Sequence, residues 1–305
     1  MIKQIAAAAL AFGVSATGAL AEYPDRPVSI VVPFPPGDLE DVLTRMVAED
    51  FQEAYGVPTA VINVPGGGGG PFPGAVQVAN APADGSVIGS FVVAVPVVGP
   101  NLGIPELSPN PFEPLGIFLT YPFVIAASGD APYSTIQELA DYAQDNDLVL
   151  GHFGAPLVPT RVTLALADRM GFSYGSDAAF DALDCNTLAS GDADVINTTL
   201  QLILPCLDDV TILASVTGER ISILDDVPTV AEIEPSLNLS LWNGLFVHRD
   251  TPQEVRDAII AVARETMASE RAQTLAEETG ALIYWQNAEE ATAQIEADTD
   301  VINGL

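Results

Sequence analysis

From Val28 onward, short apolar runs alternate with stretches in which apolar residues return every three or four positions. The runs predict strands and the periodic stretches predict amphipathic helices, so the alternation predicts an α/β fold with parallel strands. Val28–Pro33 reads as the first strand. Leu39, Val42, Leu43, Met46, Val47 and Phe51 mark one face of the helix that follows, and Gly56 ends it. Further strands are expected at Thr59–Val64 and Ser86–Val95. Residues 96–116 carry six prolines and little periodicity, which predicts an ordered irregular crossing. Ile117–Ala127 reads as one strand-like run passing between two blocks.

In the second block, Ser134-Thr135-Ile136-Gln137 predicts a capping box opening a helix to about Asn146. Leu148–Gly151 is a short strand, Arg161–Met170 a helix and Asp181–Ser190 another. Val195–Thr198 and Val210–Val216 return as strands. The tail is expected to be helical. Thr251 as N-cap, Pro252 at N1 and Glu254 at N3 open one helix, and Asn287 with Glu290 opens the last. Two α/β blocks joined by extended crossings enclose a cleft, where proteins of this class bind ligands. The expected lobes are residues 22–121 with 219–305, and residues 122–218. Hinges are expected near Thr120–Val124 and Thr217–Ile221.

Composition supports this and charge extends it. A chain of 305 residues that is 49% apolar has material for two cores. Ten Lys+Arg stand against 41 Asp+Glu, a net charge of −31. Such a surface repels nucleic acid and anionic membrane, which excludes nucleic acid as a partner. It also fits a protein kept soluble in a salty medium. Lys3, the apolar residues 5–14 and Ala19-Leu20-Ala21 read as a signal peptide over residues 1–21, cleaved after Ala21. The apolar run is shorter than the roughly 20 residues a membrane span needs. The expectation is an exported, periplasmic monomer. In an oxidising compartment Cys185 and Cys206 either pair or remain two buried thiols, and the sequence leaves both open.

No string in the chain has the context of a catalytic signature. Gly171–Gly175 (GFSYG) has the G-x-S-x-G spacing but follows the expected Arg161–Met170 helix rather than a strand, and there is no H-E-x-x-H and no dinucleotide fingerprint after a strand. The Gly66–Gly70 run lacks the Lys-Ser/Thr pair of a phosphate loop, and His152 and His248 are too far apart for metal-ligand spacing. No enzyme activity, metal or cofactor is expected. The competing enzyme reading rests on Asp38, Glu40 and Asp41 as paired carboxylates, with His152 as a base.

Several strings carry a resemblance. The region from Tyr23 reads YPDRPVSIVVPFPPGDLEDVLTRMVAEDF, followed by Pro65–Gly69 (PGGGG), Ala81–Gly85 (APADG), Asp226–Glu232 (DVPTVAE) and Trp242–Val247 (WNGLFV). In this order they resemble the periplasmic solute-binding receptors of tripartite tricarboxylate transporters, the Bug family. The resemblance implies a type II periplasmic-binding-protein fold of two lobes that closes over a small organic acid, a mono- or dicarboxylate. It implies delivery to the membrane permease subunits of such a transporter, or presentation to a membrane sensor. Receptors of this family hold carboxylates with backbone amides, waters and small polar side chains. Free N–H groups and a helix dipole favour an anion there.

Carried onto this sequence, the resemblance marks Phe34, Pro36, Gly37, Asp38, Glu40 and Asp41 in the first loop as ligand-binding. Gly68, Gly69 and Phe72 are marked in the second loop. The second lobe contributes Phe153, Gly154, Thr160 and Arg161, then Asn197, Thr198 and Thr199, and Trp242 completes the set. The first loop departs from the family string: Asp38 stands where a glycine is usual and Glu40 where a hydroxyl is usual. Asp38 as N-cap with Asp41 at N3 is the capping alternative. Three carboxylates there oppose an anion, which gives weight to a neutral or cationic solute. Arg161 is the best cationic contact for an acid, and Phe34, Phe72 and Phe153 predict apolar walls.

Overall fold

The computed structural model describes residues 23–66 and 70–304. The predicted signal peptide, its cleavage point, Gly68 and Gly69 lie outside the described residues.

The chain first runs β1 (Val28–Val32), α1 (Leu39–Tyr55), β2 (Thr59–Asn63), α2 (Phe72–Ala79), β3 (Val87–Val92), α3 (Ala94–Val97) and β4 (Phe112–Thr120). A second series follows: β5 (Phe123–Ser128), α4 (Ile136–Tyr142), β6 (Val149–His152), α5 (Val158–Arg169), β7 (Ser176–Ala179), α6 (Cys185–Ser190), β8 (Val195–Thr199), α7 (Leu200–Ile203) and β9 (Val210–Ser215). The return comprises α8 (Val230–Ile233), β10 (Trp242–His248), α9 (Gln253–Met267), α10 (Glu270–Thr279), β11 (Leu282–Asn287) and α11 (Ala288–Asn303).

These strands form two sheets. The first is ordered β11-β4-β10-β3-β1-β2 and the second β7-β6-β8-β5-β9. The expected parallel character holds for β2-β1-β3 and for β7-β6-β8. Antiparallel strands complete each sheet: β10 lies against both β3 and β4, and β5 against β8 and β9. The chain crosses between sheets at Tyr121-Pro122 and again over residues 216–241. The crossings touch: the Tyr121 amide donates to the Leu241 carbonyl at 2.8 Å, and the Val216 amide to the Phe123 carbonyl at 2.8 Å.

The predicted helix α1 buries Leu39, Leu43, Val47 and Phe51, one residue per turn, against the first sheet. Gly56 ends it with φ 68, a left-handed value that glycine adopts without a Cβ clash. The Asn287/Glu290 capping box opens α11 as expected.

Other local expectations need correction. Ile117–Ala127 is not one strand: Pro122 has no N–H to donate, and the run breaks there into β4 and β5. The Pro-rich 96–116 stretch is irregular only to Asn110, because β4 begins at Phe112. The N-cap of α4 is Thr135, which accepts the Glu138 amide, while Ser134 donates to the Glu138 carboxylate. Asp184 caps α6, which starts later than Asp181. Pro252 occupies the N-cap of α9, and the buried Thr251 hydroxyl has no hydrogen-bond partner. The helix α2 was hidden by Pro71, Pro73 and Gly74, residues tolerated in a first turn whose N–H groups need no helical partner. The strand β11 interrupts the tail that was expected to be all helix.

Candidate ligand-binding cleft

Loops at the carboxyl ends of β1 and β3 face loops at the carboxyl ends of β6 and β8 across a cavity of about 60 Å³. The first lobe contributes Phe34, Asp38, Leu39 and Glu40 from the β1–α1 turn and Val92, Val93 and Ala94 from the end of β3. The second contributes Phe153, Leu157, Val158 and Pro159 at the entrance of α5, with Thr199 and Gln201 after β8. Tyr121, Phe123, Leu241 and Trp242 close it from the crossings. Most of the wall is apolar. Its ionisable groups are Asp38, Glu40 and the Tyr121 phenol, and among the described residues no Lys, Arg or His lines it.

The three acids of the first loop separate by role. Asp38 sits at the N-cap in an extended conformation, yet its carboxylate makes no cap hydrogen bond. Asp41 does the anchoring instead: Oδ2 accepts the Gly37 amide at 3.0 Å and Arg45 Nε at 2.8 Å. Its Oδ1 accepts Arg45 Nη2 at 2.9 Å and Asn63 Nδ2 at 2.8 Å. Gly37 reaches this turn at φ 105, a value that favours glycine. Burial raises the Asp41 pKa, but the bonds from Arg45, Asn63 and Gly37 outweigh it and hold the carboxyl below its ordinary range.

Asp38 and Glu40 have no such cation. Burial, then the neighbouring Asp41 charge, pushes Asp38 up to about 6. Burial, then the Asp38 charge, pushes Glu40 up to about 8, opposed by the nearness of its own backbone amide and of the Tyr121 hydroxyl, which itself donates to Asn243 Oδ1 at 3.3 Å. Glu40 is 3% exposed. The fully enclosed Tyr121 phenol is raised well above its ordinary value by burial and then by Glu40.

On the opposite wall, α5 begins at Val158 with Leu157 at its N-cap and no side-chain cap. Its first amides, Pro159 excepted, point along the helix dipole toward the cavity. The turn before it is fixed from within. Thr160 Oγ1 donates to the Gly154 carbonyl at 2.9 Å. His152 Nδ1 accepts the Gly154 amide at 3.0 Å, so Nε2 carries the proton given to Asp177 Oδ1 at 2.7 Å. Both ring nitrogens are engaged.

The family profile described as "Tripartite tricarboxylate transporter family receptor" matches residues 43–302. The chain belongs to the tripartite tricarboxylate transporter receptor family. It is 28% identical over 286 residues to a UPF0065 protein from the tcbD-tcbE intergenic region of Pseudomonas sp. strain P51, covering 88% of this chain and 82% of that one. The solved periplasmic binding protein BugD is similar at 26% identity and a TM-score of 0.79, over 91% of this chain and 95% of its own. An R. palustris protein solved with adipate shares the fold at a TM-score of 0.81 and 21% identity, over 92% and 96%. The family and these neighbours are solute-binding proteins and not enzymes.

In this receptor the family profile begins just after the acidic first loop. Of the residues marked by resemblance, Phe34, Asp38, Glu40, Phe153, Thr199 and Trp242 line one cavity. Asp41, Gly37, Gly154 and Thr160 shape its loops. Pro36 is exposed and Phe72 is buried at the start of α2. Asn197 and Thr198 turn into the second lobe, where Asn197 Nδ2 donates to Thr163 Oγ1 and Thr198 Oγ1 to the Leu183 carbonyl. Arg161 is directed away: its guanidinium donates to the Ile302 carbonyl at 3.1 Å. Trp242 presents its ring, because its indole N–H donates to Asp298 Oδ2 at 2.7 Å. Sequence reasoning missed Val92–Ala94, Tyr121, Phe123, Leu157–Pro159, Gln201 and Leu241. The available signal was position, since these residues directly follow strands or precede a helix.

Among the described residues, no group of three or more His, Cys, Asp or Glu is arranged to hold a metal, and no helix is long and apolar enough to cross a membrane. The cysteine question has one answer. Cys185 and Cys206 form a disulfide with an S–S distance of 2.08 Å.

Proposed function

We propose that this receptor works in the periplasm, captures a small carboxylate-bearing solute between its lobes and hands it to the membrane permease of a tripartite transporter. The observation that carries the reading is the cavity at the carboxyl ends of strands from both sheets, with the uncapped entrance of α5 on one wall. The adipate found with the R. palustris protein agrees with a carboxylate as one end of the ligand. The ligand-contacting set is Phe34, Asp38, Glu40, Tyr121, Phe153, Thr199, Gln201 and Trp242.

Capture is a closure of two rigid lobes about the crossings at Tyr121-Pro122 and near Thr217, with solute bridging both walls. Closure is biased only by what the solute contacts better in the closed form. Deleting the gene should abolish uptake of the solute that the purified receptor binds. Undiminished uptake would contradict transport and favour presentation to a membrane sensor. Small-angle scattering should show compaction on saturation.

A further inference from the structure

We infer that Arg161 is an interlobe latch: its guanidinium, carried by the second lobe, holds the carboxyl end of α11 in the first, so that the solute-free receptor already samples the closed form. The inference rests on the receptor reading and adds a control on how long the cleft stays shut.

Arg161 lies in the first turn of α5, just after Pro159, which lines the cavity. The helix α5 packs on β8 of the second sheet, whereas α11 packs on β4 and β11 of the first sheet and on α3. The bond from Arg161 Nη2 to the Ile302 carbonyl at 3.1 Å therefore joins elements of different sheets that lie 141 positions apart. On the first side, α3 begins at Ala94, which also lines the cavity. The latch thus sits at the edge of the cleft, between α5 on one wall and α3 with α11 behind the other.

The chemistry suits the place. The last carbonyls of a helix lack amide partners and carry the negative end of its dipole, and α11 brings no basic residue to its own last turn. Arg161 supplies that charge from the other lobe. Arg45 and Arg271, by contrast, are matched to the carboxylates of Asp41 and Asp50. Among the described residues Arg161 meets a backbone carbonyl instead, in a half-buried position where a charged donor is worth more than on the open surface.

Turning the lobes about the crossings at Tyr121-Pro122 and near Thr217 separates α5 from α11 and breaks this bond. Because the bond exists only in the closed form, it biases the lobes toward closure with or without solute. Arg169, at the far end of the same helix, differs: its Nη1 donates to Ser236 Oγ at 2.6 Å, within the crossing itself.

The test is double electron–electron resonance on the mature, solute-stripped receptor, with spin labels on cysteines introduced at the exposed Gln137 of α4 and Glu265 of α9. Cys185 and Cys206 are paired and take no label. The unsubstituted receptor should show the closed distance given by the structure together with an open one. Arg161→Met keeps the apolar stem but removes the donors, and should lower the ratio of closed to open receptor about tenfold. Arg161→Lys keeps the charge without the planar fork and serves where Arg161→Met fails to fold, with a fall of about threefold. Arg169→Met should change the ratio less than about twofold. A ratio unmoved by substitution of Arg161 overturns the inference. So does an equal fall in Arg169→Met, which would mean that α5 has loosened as a whole, and so does a single, open distance in the unsubstituted receptor. None of these outcomes touches the receptor reading, which fails separately if the stripped protein extracts no solute from a periplasmic lysate.

Discussion

The Asp41 carboxylate accepts the Gly37 amide at 3.0 Å, closing the turn into α1 from inside the helix. That contact, with the paired bonds from Arg45 and the bond from Asn63, frees Asp38 from the capping role its position gives it. The two acids should therefore respond differently to substitution. Asp41→Asn removes the charge from three partners in a buried position and should cost about 1–3 kcal/mol. Asp38→Asn should not lower the melting temperature. Equal losses in thermal unfolding would contradict this division.

Through Asp38 and Glu40, whose carboxyls are pushed up, stability should fall with rising pH, whereas the lowered Asp41 acts in the opposite sense. Below the ordinary glutamate range, Glu40 is protonated in folded and unfolded chains alike and contributes nothing. As pH rises toward about 8 the unfolded chain ionises while buried Glu40 resists, so the folded state loses ground. Glu40→Gln should thus raise the melting temperature of the ligand-free receptor above pH 8, by roughly 2–4 °C per kcal/mol recovered, and not at pH 4. A gain at pH 4 of equal size would show that charge is not the cause.

Affinity for a carboxylate solute should fall as pH rises. The ionisable groups lining the cavity are Asp38 and Glu40 from α1 and the Tyr121 phenol from the crossing, while Asp41 stays ionised against Arg45. Raising pH from 5 to 9 ionises Asp38 and then Glu40, which weakens binding of a dicarboxylate. Calorimetry at several pH values checks the direction, and a flat profile would contradict the placement of the two acids at the ligand.

Much of this was legible in the chain. The α1 face, its Gly56 stop and the Asn287/Glu290 box follow from local rules, and the strings around Phe34 and Trp242 point to the loops that meet. What was not legible depends on partners distant in sequence. Asp38 reads as a cap until Asn63, 22 positions beyond Asp41, helps hold Asp41 in its place. Arg161 reads as a ligand contact until the Ile302 carbonyl claims it. The strand β11 lies at the sheet edge, paired only with β4 and through an irregular register, so little in its own pattern distinguishes it from the helices around it.

The disulfide should matter for stability more than for binding. It closes a loop of 21 positions in the second lobe that carries Thr199 and Gln201, but neither cysteine itself lines the cavity. Such a loop constrains the unfolded chain by about 3 kcal/mol. Replacing both Cys185 and Cys206 by alanine should lower the denaturant midpoint while ligand affinity stays within about twofold. An unchanged midpoint would remove the disulfide from the stability account.

Trp242 offers an intrinsic reporter. Its ring lines the cavity, whereas Trp285 packs on the first sheet outside it. Saturating ligand should change the tryptophan emission of the receptor and of Trp285→Phe, and leave Trp242→Phe silent. Persistence of the signal in Trp242→Phe would move the ligand elsewhere.

The most direct measurement is mass spectrometry of the small molecule released from receptor purified, without stripping, from the periplasm of cells that export it. The account predicts one solute per receptor, carrying a carboxylate. Receptor that releases no solute, and takes up none from a periplasmic lysate, would contradict the assignment of a solute-binding cleft to these two walls.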